Sequence, residues 1–185
     1  MVNKVKIKKA ISLLLEGLGE NLNREGLVET PDRIATMCAK ILDPNKPIND
    51  SVLFKNFSSN FQNIILIKNI NFSSFCEHHI MPFFGKIHVA YIPSGKIIGL
   101  SKVARIINFY SNRLSIQENL TENIANAIIK KINAKGSFVV IKALHTCMIA
   151  RGVRKTESQT ITITKKGVFQ TVKSLQDEIF RMLQL

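Results

Sequence analysis

Tryptophan is absent from this chain of 185 residues, and tyrosine occurs only twice. A surface that tracks nucleic acid wants basic residues in a stripe with aromatic rings between them. Here 26 lysines and arginines face 13 acidic residues, a formal charge of +13, yet 19 of the 26 are lysines scattered from Lys4 to Lys173. Such scatter describes a solvated surface with a subset of charges gathered at an anionic site, and it argues against nucleic acid as a partner. Cysteine is also scarce. Three thiols in a chain of this length, two of them beside histidines, look like ligands and not like a disulfide framework. No charge-free apolar run reaches the length of a membrane span, and Lys4, Lys6, Lys8 and Lys9 lead into an amphipathic helix instead of a signal peptide. A cytoplasmic protein with no membrane partner is expected. A P-loop is missing too, because Gly95-Lys96 lacks the upstream glycine at the required spacing.

What is present is enough apolar residue, 45%, to bury one core. Helical spacing of Ile7, Ile11, Leu14, Leu15 and Leu18 marks a helix from Lys4 to Leu18, bracketed by Gly17 and Gly19. Thr30 can cap the next helix, Pro31 fits its first position, and Ile34, Met37, Cys38 and Ile41 form an inner stripe that places Cys38 in the core. From Pro44 to Phe61 the chain reads as a connection with one short helical turn. Strands are expected over Ile64 to Ile70, Lys86 to Tyr91, Phe138 to Cys147 and Thr160 to Thr164, with His88 a polar strand residue. Helices are expected from Ser101, with Val103, Ile106, Ile107 and Tyr110 on one face, and from Ile116 to Ile132, with Leu120, Ile124, Ala127, Ile128 and Lys131 following a similar period. Ser174 and Asp177 can box the start of a last helix, Leu175 to Leu183.

Reactive side chains concentrate in two places, Cys76-Glu77-His78-His79 and His145-Thr146-Cys147. Zinc prefers thiolate and imidazole, and Cys76 and His79, three residues apart, can reach one ion from a tight turn, with Cys147 as a third ligand. A fourth position left to water would make the metal catalytic, since zinc lowers the pKa of bound water to about 7. His145, two residues from Cys147, would face the same side of a strand that persisted to its end, and could sit beside the metal without binding it. His78 can be held near the metal as a general acid or base, and Glu77 can orient an imidazole. The same residues also permit a closed structural site in which His145 is the fourth ligand.

Phe75-Cys76-Glu77-His78-His79-Ile80-Met81-Pro82-Phe83-Phe84-Gly85-Lys86 closely resembles the zinc motif of GTP cyclohydrolase I. Four further runs resemble that family in the same order: Arg24 to Leu27 with Glu29 to Arg33, Gly99 to Ile106, Gln117 to Thr121, and His145 to Arg154. The likeness spans the chain from about residue 10 to its end. It implies a reaction in which the imidazole ring of GTP is opened at C8 by hydrolysis, formate leaves, the ribose rearranges, and a new ring closes to 7,8-dihydroneopterin triphosphate. On matching positions, Cys76, His79 and Cys147 hold Zn2+, and His78 and His145 are the acid-base pair. Ser101 lies near the ribose, and Lys102, Arg105, Arg151 and Arg33 bind the triphosphate. Gln117 and Glu118 contact substrate, with Glu118 accepting hydrogen bonds from the N1 and amino edge of guanine.

Two of these assignments have a plainer reading beside them. Lys102 and Arg105 could simply face water, and Ser115-Ile116-Gln117-Glu118 also spells a capping box that would engage the Glu118 carboxylate. Ser115-Ile116 and Ile161 to Lys166 depart from the family's usual residues without removing a ligand.

The fold implied by the resemblance is an α+β tunnelling fold, an antiparallel sheet with helices on one side, in a toroidal assembly of ten with sites at subunit boundaries. One domain over residues 1–185 is expected, mainly helical over 1–60 and catalytic over 61–185. Other readings are a nitrile reductase on the same fold, which would need a nucleophilic cysteine and NADPH, and a zinc-stabilised nucleic-acid-binding module.

Overall fold

The computed structural model describes residues 2–45, 47 and 49–184. The chain falls into two compact units, Met1–Pro47 and Ile48–Leu185.

The first unit is a pair of helices. α1 (Lys4–Gly17) starts at Asn3, whose side-chain oxygen accepts from the Lys6 amide, and it ends where Gly19 takes a φ of 79°. α2 (Thr30–Ile41) starts one residue earlier than expected. Glu29 is the cap residue, and Thr30 lies inside the helix with its hydroxyl donating back to the Gly26 carbonyl. Pro31 remains harmless there, because first-turn amides need no helical partner. Of its expected stripe, Ile34, Cys38 and Ile41 are half-buried beside the buried Pro31 and Ala35, and Met37 alone is exposed.

The second unit carries a sheet. Its elements are α3 (Asp50–Leu53), β1 (Asn56–Ser58), β2 (Ile65–Cys76), β3 (Pro82–Ile92), β4 (Lys96–Ile98), α4 (Leu100–Ser111), β5 (Leu114–Ser115), α5 (Gln117–Ile132), β6 (Gly136–His145), α6 (Thr146–Ile149), β7 (Gln159–Gly167), α7 (Val168–Thr171) and α8 (Lys173–Leu183). The main sheet runs β5-β2-β3-β6-β7, antiparallel except where β5 joins β2. β1, unmarked by any sequence signal, pairs with β4 in a separate ribbon.

β2 extends six residues beyond the expected end at Ile70. A bulge interrupts its pairing with β3 between Ile67 and Ile70, with Asn69 in the left-handed region and its amide donating to His88 Nδ1. The extension was hidden by Asn71, Ser73 and Ser74, whose polarity reads as loop. Ser74 is nevertheless buried, and its hydroxyl is satisfied by the Ser111 carbonyl at 2.8 Å.

Strand alternation then divides the core in two. Ile87, Val89 and Tyr91 of β3 and Val139 and Ile141 of β6 face Val103, Ile106 and Ile107 of α4 and Leu120, Ile124 and Ile128 of α5. Ala90, Ile92, Phe138 and Val140 point the other way, under Phe169 and Ile179 from α7 and α8. The long helices thus share one face, and the short C-terminal helices cover part of the other. Lys131 leaves the α5 stripe to pair with Asp50 at the surface. The capping box expected at Ser174 does not form: α8 begins at Lys173, with Val172 as the cap residue and no side-chain cap bond.

Gly85 sits where β3 and β6 lie back to back with no space for a side chain. A Cβ there would lie 2.0 Å from the Lys142 carbonyl oxygen and 2.8 Å from Ala143 Cα. Both are backbone atoms in paired strands, which cannot swing aside as a flexible side chain would. Gly85→Ala is therefore expected to cost about 3 kcal/mol of unfolding free energy. Denaturant titration checks this, and an alanine variant as stable as the parent would contradict the packing described.

Candidate metal and active site

β2, β3 and β6 all bring one end to the same place. β2 finishes at Cys76, whose amide donates to Met81 O at 2.9 Å while the Ile80 amide donates to Cys76 O at 2.8 Å. These bonds close a tight turn, and Ile80 takes a φ of 53° to complete it. A β-branched residue rarely adopts that conformation, so the turn is held by its surroundings. The Glu77 amide donates to Ser115 O, tying the turn to β5. Both imidazoles are folded back over the strand end: Cys76 Sγ lies 3.8 Å from His78 Nδ1 and 3.9 Å from His79 Nδ1.

From the other side, β6 ends at His145, paired opposite Phe83. The strand does not persist to Cys147 as expected. It gives way to the short helix α6, and the Thr146 hydroxyl donates to Pro82 O at 2.6 Å, so Cys147 is delivered from a helical turn. One ligand atom each from Cys76, His79 and Cys147 lies within 4.8 Å of the others. Ligands about 2.3 Å from a tetrahedral ion stand about 3.8 Å apart, close to the Cys76–His79 separation. Two sulfurs and an imidazole nitrogen are donors that suit zinc.

The electrostatics of this corner depend on burial. The Cys147 thiol is pushed up, first by burial and then by Cys76, with Arg151 opposing, so a bound cation is what would favour its thiolate. The imidazole of His145 is pushed down, chiefly by burial and against the Glu118 carboxylate, which favours the neutral ring. His145 stacks flat on Phe83, with ring centres 4.7 Å apart and planes 2° apart, and its Nε2 is 2.8 Å from Gln117 Oε1. Arg151 Nη1 lies 2.8 Å from His79 Nε2, on the side of the ring away from Cys76.

A cavity of about 190 Å³ is lined by Cys76, His78, His79, His145 and Cys147 together with Glu118. Glu118 is exposed in the first turn of α5. The capping box that would have engaged it does not form, because Ile116 is the cap residue and Ser115 donates to the Ile116 carbonyl. Its carboxylate is left facing the cavity. Gln117, expected at the substrate, is 1% exposed, and its side chain is bonded to the protein on both its nitrogen and its oxygen.

Ser101, Lys102, Arg105 and Glu77 do not line this cavity. Ser101 and Lys102 lie in the first turn of α4 and Arg105 one turn on, and Lys102 and Arg105 have no ion-pair partner among the described residues. Arg33 belongs to the helical unit, where it pairs with Glu29. The Glu77 carboxylate is exposed and bonds neither imidazole. A larger hollow of about 680 Å³ lies on the sheet beside Lys86, His88 and Lys142, and holds none of the candidate ligands.

Sequence reasoning missed what surrounds His145, namely the stacking on Phe83 and the anchor from Gln117. A signal for the second existed. Gln117 falls on the same stripe as Thr121, Ile124 and Ile128, and a polar residue on a core stripe must find buried partners.

The sequence model for GTP cyclohydrolase I matches residues 7–184. The chain is 45% identical over 185 residues to GTP cyclohydrolase 1 of Clostridium perfringens (strain 13 / Type A), covering 100% of both chains. It is 45% identical over 180 residues to GTP cyclohydrolase 1 of Clostridium kluyveri, covering 97% of each, and 44% identical over 180 residues to that of Streptococcus pneumoniae (strain Taiwan19F-14), covering 97% of this chain and 98% of the other. Among solved structures, the apo form of the archaeosine synthase QueF-Like aligns over 56% of this chain and 93% of its own, at 16% identity and a TM-score of 0.46, a likeness too slight to bear on function. Full-length identity of this order, in a chain whose separated motifs fold into one cysteine and histidine cluster, places the protein in the GTP cyclohydrolase I family.

Proposed function

We propose that this protein is a zinc-dependent GTP cyclohydrolase I, converting GTP and water to formate and 7,8-dihydroneopterin triphosphate. The observation that carries the reading is the convergence of Cys76, His79 and Cys147 in one cavity with His78, His145 and Glu118. Bound there, Zn2+ would supply Lewis acidity and, with three protein ligands, keep a position open to a water acidified towards neutral pH. The ligand group takes in Cys76, His79 and Cys147 and not His145, which supports an open position over a closed four-ligand site.

The chain's own residues then divide the work. Glu118 accepts from guanine N1–H and the 2-amino group, which orients the purine and disfavours adenine, whose edge reverses a donor. His78 and His145 line the same cavity as the ligand group, and they would hand protons to and from the purine nitrogens as water adds at C8 and formate departs. The neutral state favoured for His145 suits it to accept first. Ser101 assists the later ribose rearrangement. The triphosphate is held by Lys102, Arg105, Arg151 and Arg33, where arginine offers forked contacts to phosphate. Arg151, whose guanidinium lies 2.8 Å from His79, would stand between the metal corner and the phosphates.

A cavity of about 190 Å³ is smaller than the roughly 300 Å³ at which small-molecule pockets begin, so one chain supplies only part of a nucleotide site. This supports a site completed at a subunit boundary, and the family resemblance implies a homodecamer, each chain acting as one catalytic domain. The test is to incubate zinc-loaded protein with GTP and then ATP, following formate and the pterin absorbance, with His78→Ala as control. Formate and pterin from GTP alone, abolished in the control, are expected. No product from assembled, metal-replete protein would overturn the reading.

A further inference from the structure

We propose that Gln117 is a positioning residue that locks His145 in its Nε2–H tautomer, so that Nδ1 is the nitrogen through which His145 exchanges protons with substrate. The functional half of this rests on the role proposed above for His145. The tautomer itself follows from hydrogen-bond logic.

The Gln117 amide nitrogen lies 3.1 Å from Ile141 O, 3.1 Å from Thr160 O and 3.0 Å from Thr162 Oγ1. Two of these are backbone carbonyls, which only accept, so a flipped amide would set its oxygen against them with no hydrogen between. The neighbouring hydroxyls reach the same answer independently. Thr121 donates its single hydrogen to Gln117 O at 2.7 Å. In the 2.6 Å contact between Thr121 and Thr162, Thr162 must therefore be the donor. Its oxygen is then free to accept from the Gln117 nitrogen. The Gln117 oxygen is left facing His145 Nε2 at 2.8 Å. An amide oxygen cannot donate, so Nε2 carries the hydrogen and the lone pair of the neutral ring lies on Nδ1.

The arrangement is rigid. Gln117 is 1% exposed, and the His145 ring lies flat on Phe83, which opposes a ring flip that would put Cε1 where Nε2 faces Gln117. With its two amide hydrogens shared among three oxygens, the Gln117 side chain has none left for a nucleotide, which separates positioning from the substrate contact expected at this position.

Two measurements test the proposal. Neutron crystallography of the assembled wild-type protein in D₂O should find deuterium on His145 Nε2; a bare Nε2 overturns the proposal whether or not the protein turns over GTP. In kinetics, Gln117→Met, near in volume but without an acceptor, should lower kcat by about a hundredfold, at the low end of general acid-base contributions, with KM for GTP held within about threefold. Gln117→Glu keeps an oxygen towards Nε2, and its buried carboxyl, held protonated by desolvation beside the two carbonyls, can still donate to one of them, so kcat should recover by at least about tenfold over the methionine variant. A raised KM with kcat retained, or equal loss in both variants, would overturn positioning. If wild-type protein leaves GTP untouched, the proposed function fails and the neutron map alone decides the tautomer.

Discussion

Cys147→Ala will lose metal and turnover together. Cys147 is one of three ligand atoms in the group, and it enters from α6 while the other two come from the turn after β2. Removing it leaves Cys76 and His79, both from one turn, to hold the ion alone. Loss of a mere supporting partner of a metal ligand costs about 10- to 100-fold in metal affinity or activity, so loss of a ligand should exceed about a hundredfold in both. The fold should survive. Cys147 is only partly buried at the margin of the larger core, and the Thr146 hydroxyl still anchors the turn to Pro82. Elemental analysis of the dialysed variant should find well under the parent's zinc content. Full zinc with full formate release would remove Cys147 from the ligand set.

Glu118→Gln should be the largest effect on substrate selection. The carboxylate lines the cavity, is exposed, and is released from helix capping because Ile116 occupies the cap position. Two charge-assisted hydrogen bonds to guanine, each worth about 1.5–3 kcal/mol, make a loss of about 4 kcal/mol, or roughly a thousandfold in kcat/KM for GTP. A glutamine presents one donor where the purine already offers donors, so part of the edge is left unpaired. Melting temperature should hardly move. A variant that melts much lower while keeping kcat/KM would show that the carboxylate serves the helix and not the guanine.

These expectations differ in how far the sequence announced them. The amphipathic helices were legible because α4 and α5 bury long apolar stripes, and Val103, Ile106 and Ile107, or Leu120, Ile124 and Ile128, repeat at helical spacing. The cysteine and histidine cluster was legible because thiols and imidazoles are rare here and concentrated in two short runs. The second half of β2 was not, since Asn71 and Ser74 satisfy their polar groups through tertiary partners that no local pattern reveals. Caps failed for a related reason. Thr30, Ser115 and Ser174 each precede a helical run and read as cap residues, but the backbone entered the helix in a different register, at Glu29, Ile116 and Val172. The end of β6 shows the same limit at the site itself. Alternation predicted His145 and Cys147 on one side of a strand, and the Thr146 hydroxyl bond to Pro82 accompanies a turn into helix just before Cys147. Gln117 was visible as a polar residue on a buried stripe, but its partners on β6 and β7 come from 24 to 45 residues away.

The most direct measurement is to supply zinc-loaded, assembled protein with GTP carrying ¹³C at C8 and to follow the label by NMR. The account predicts that the signal moves from the purine into free formate while an unlabelled pterin triphosphate accumulates, and that none of this occurs with Cys147→Ala. Label that stays in the nucleotide, from protein shown to hold zinc, would contradict it.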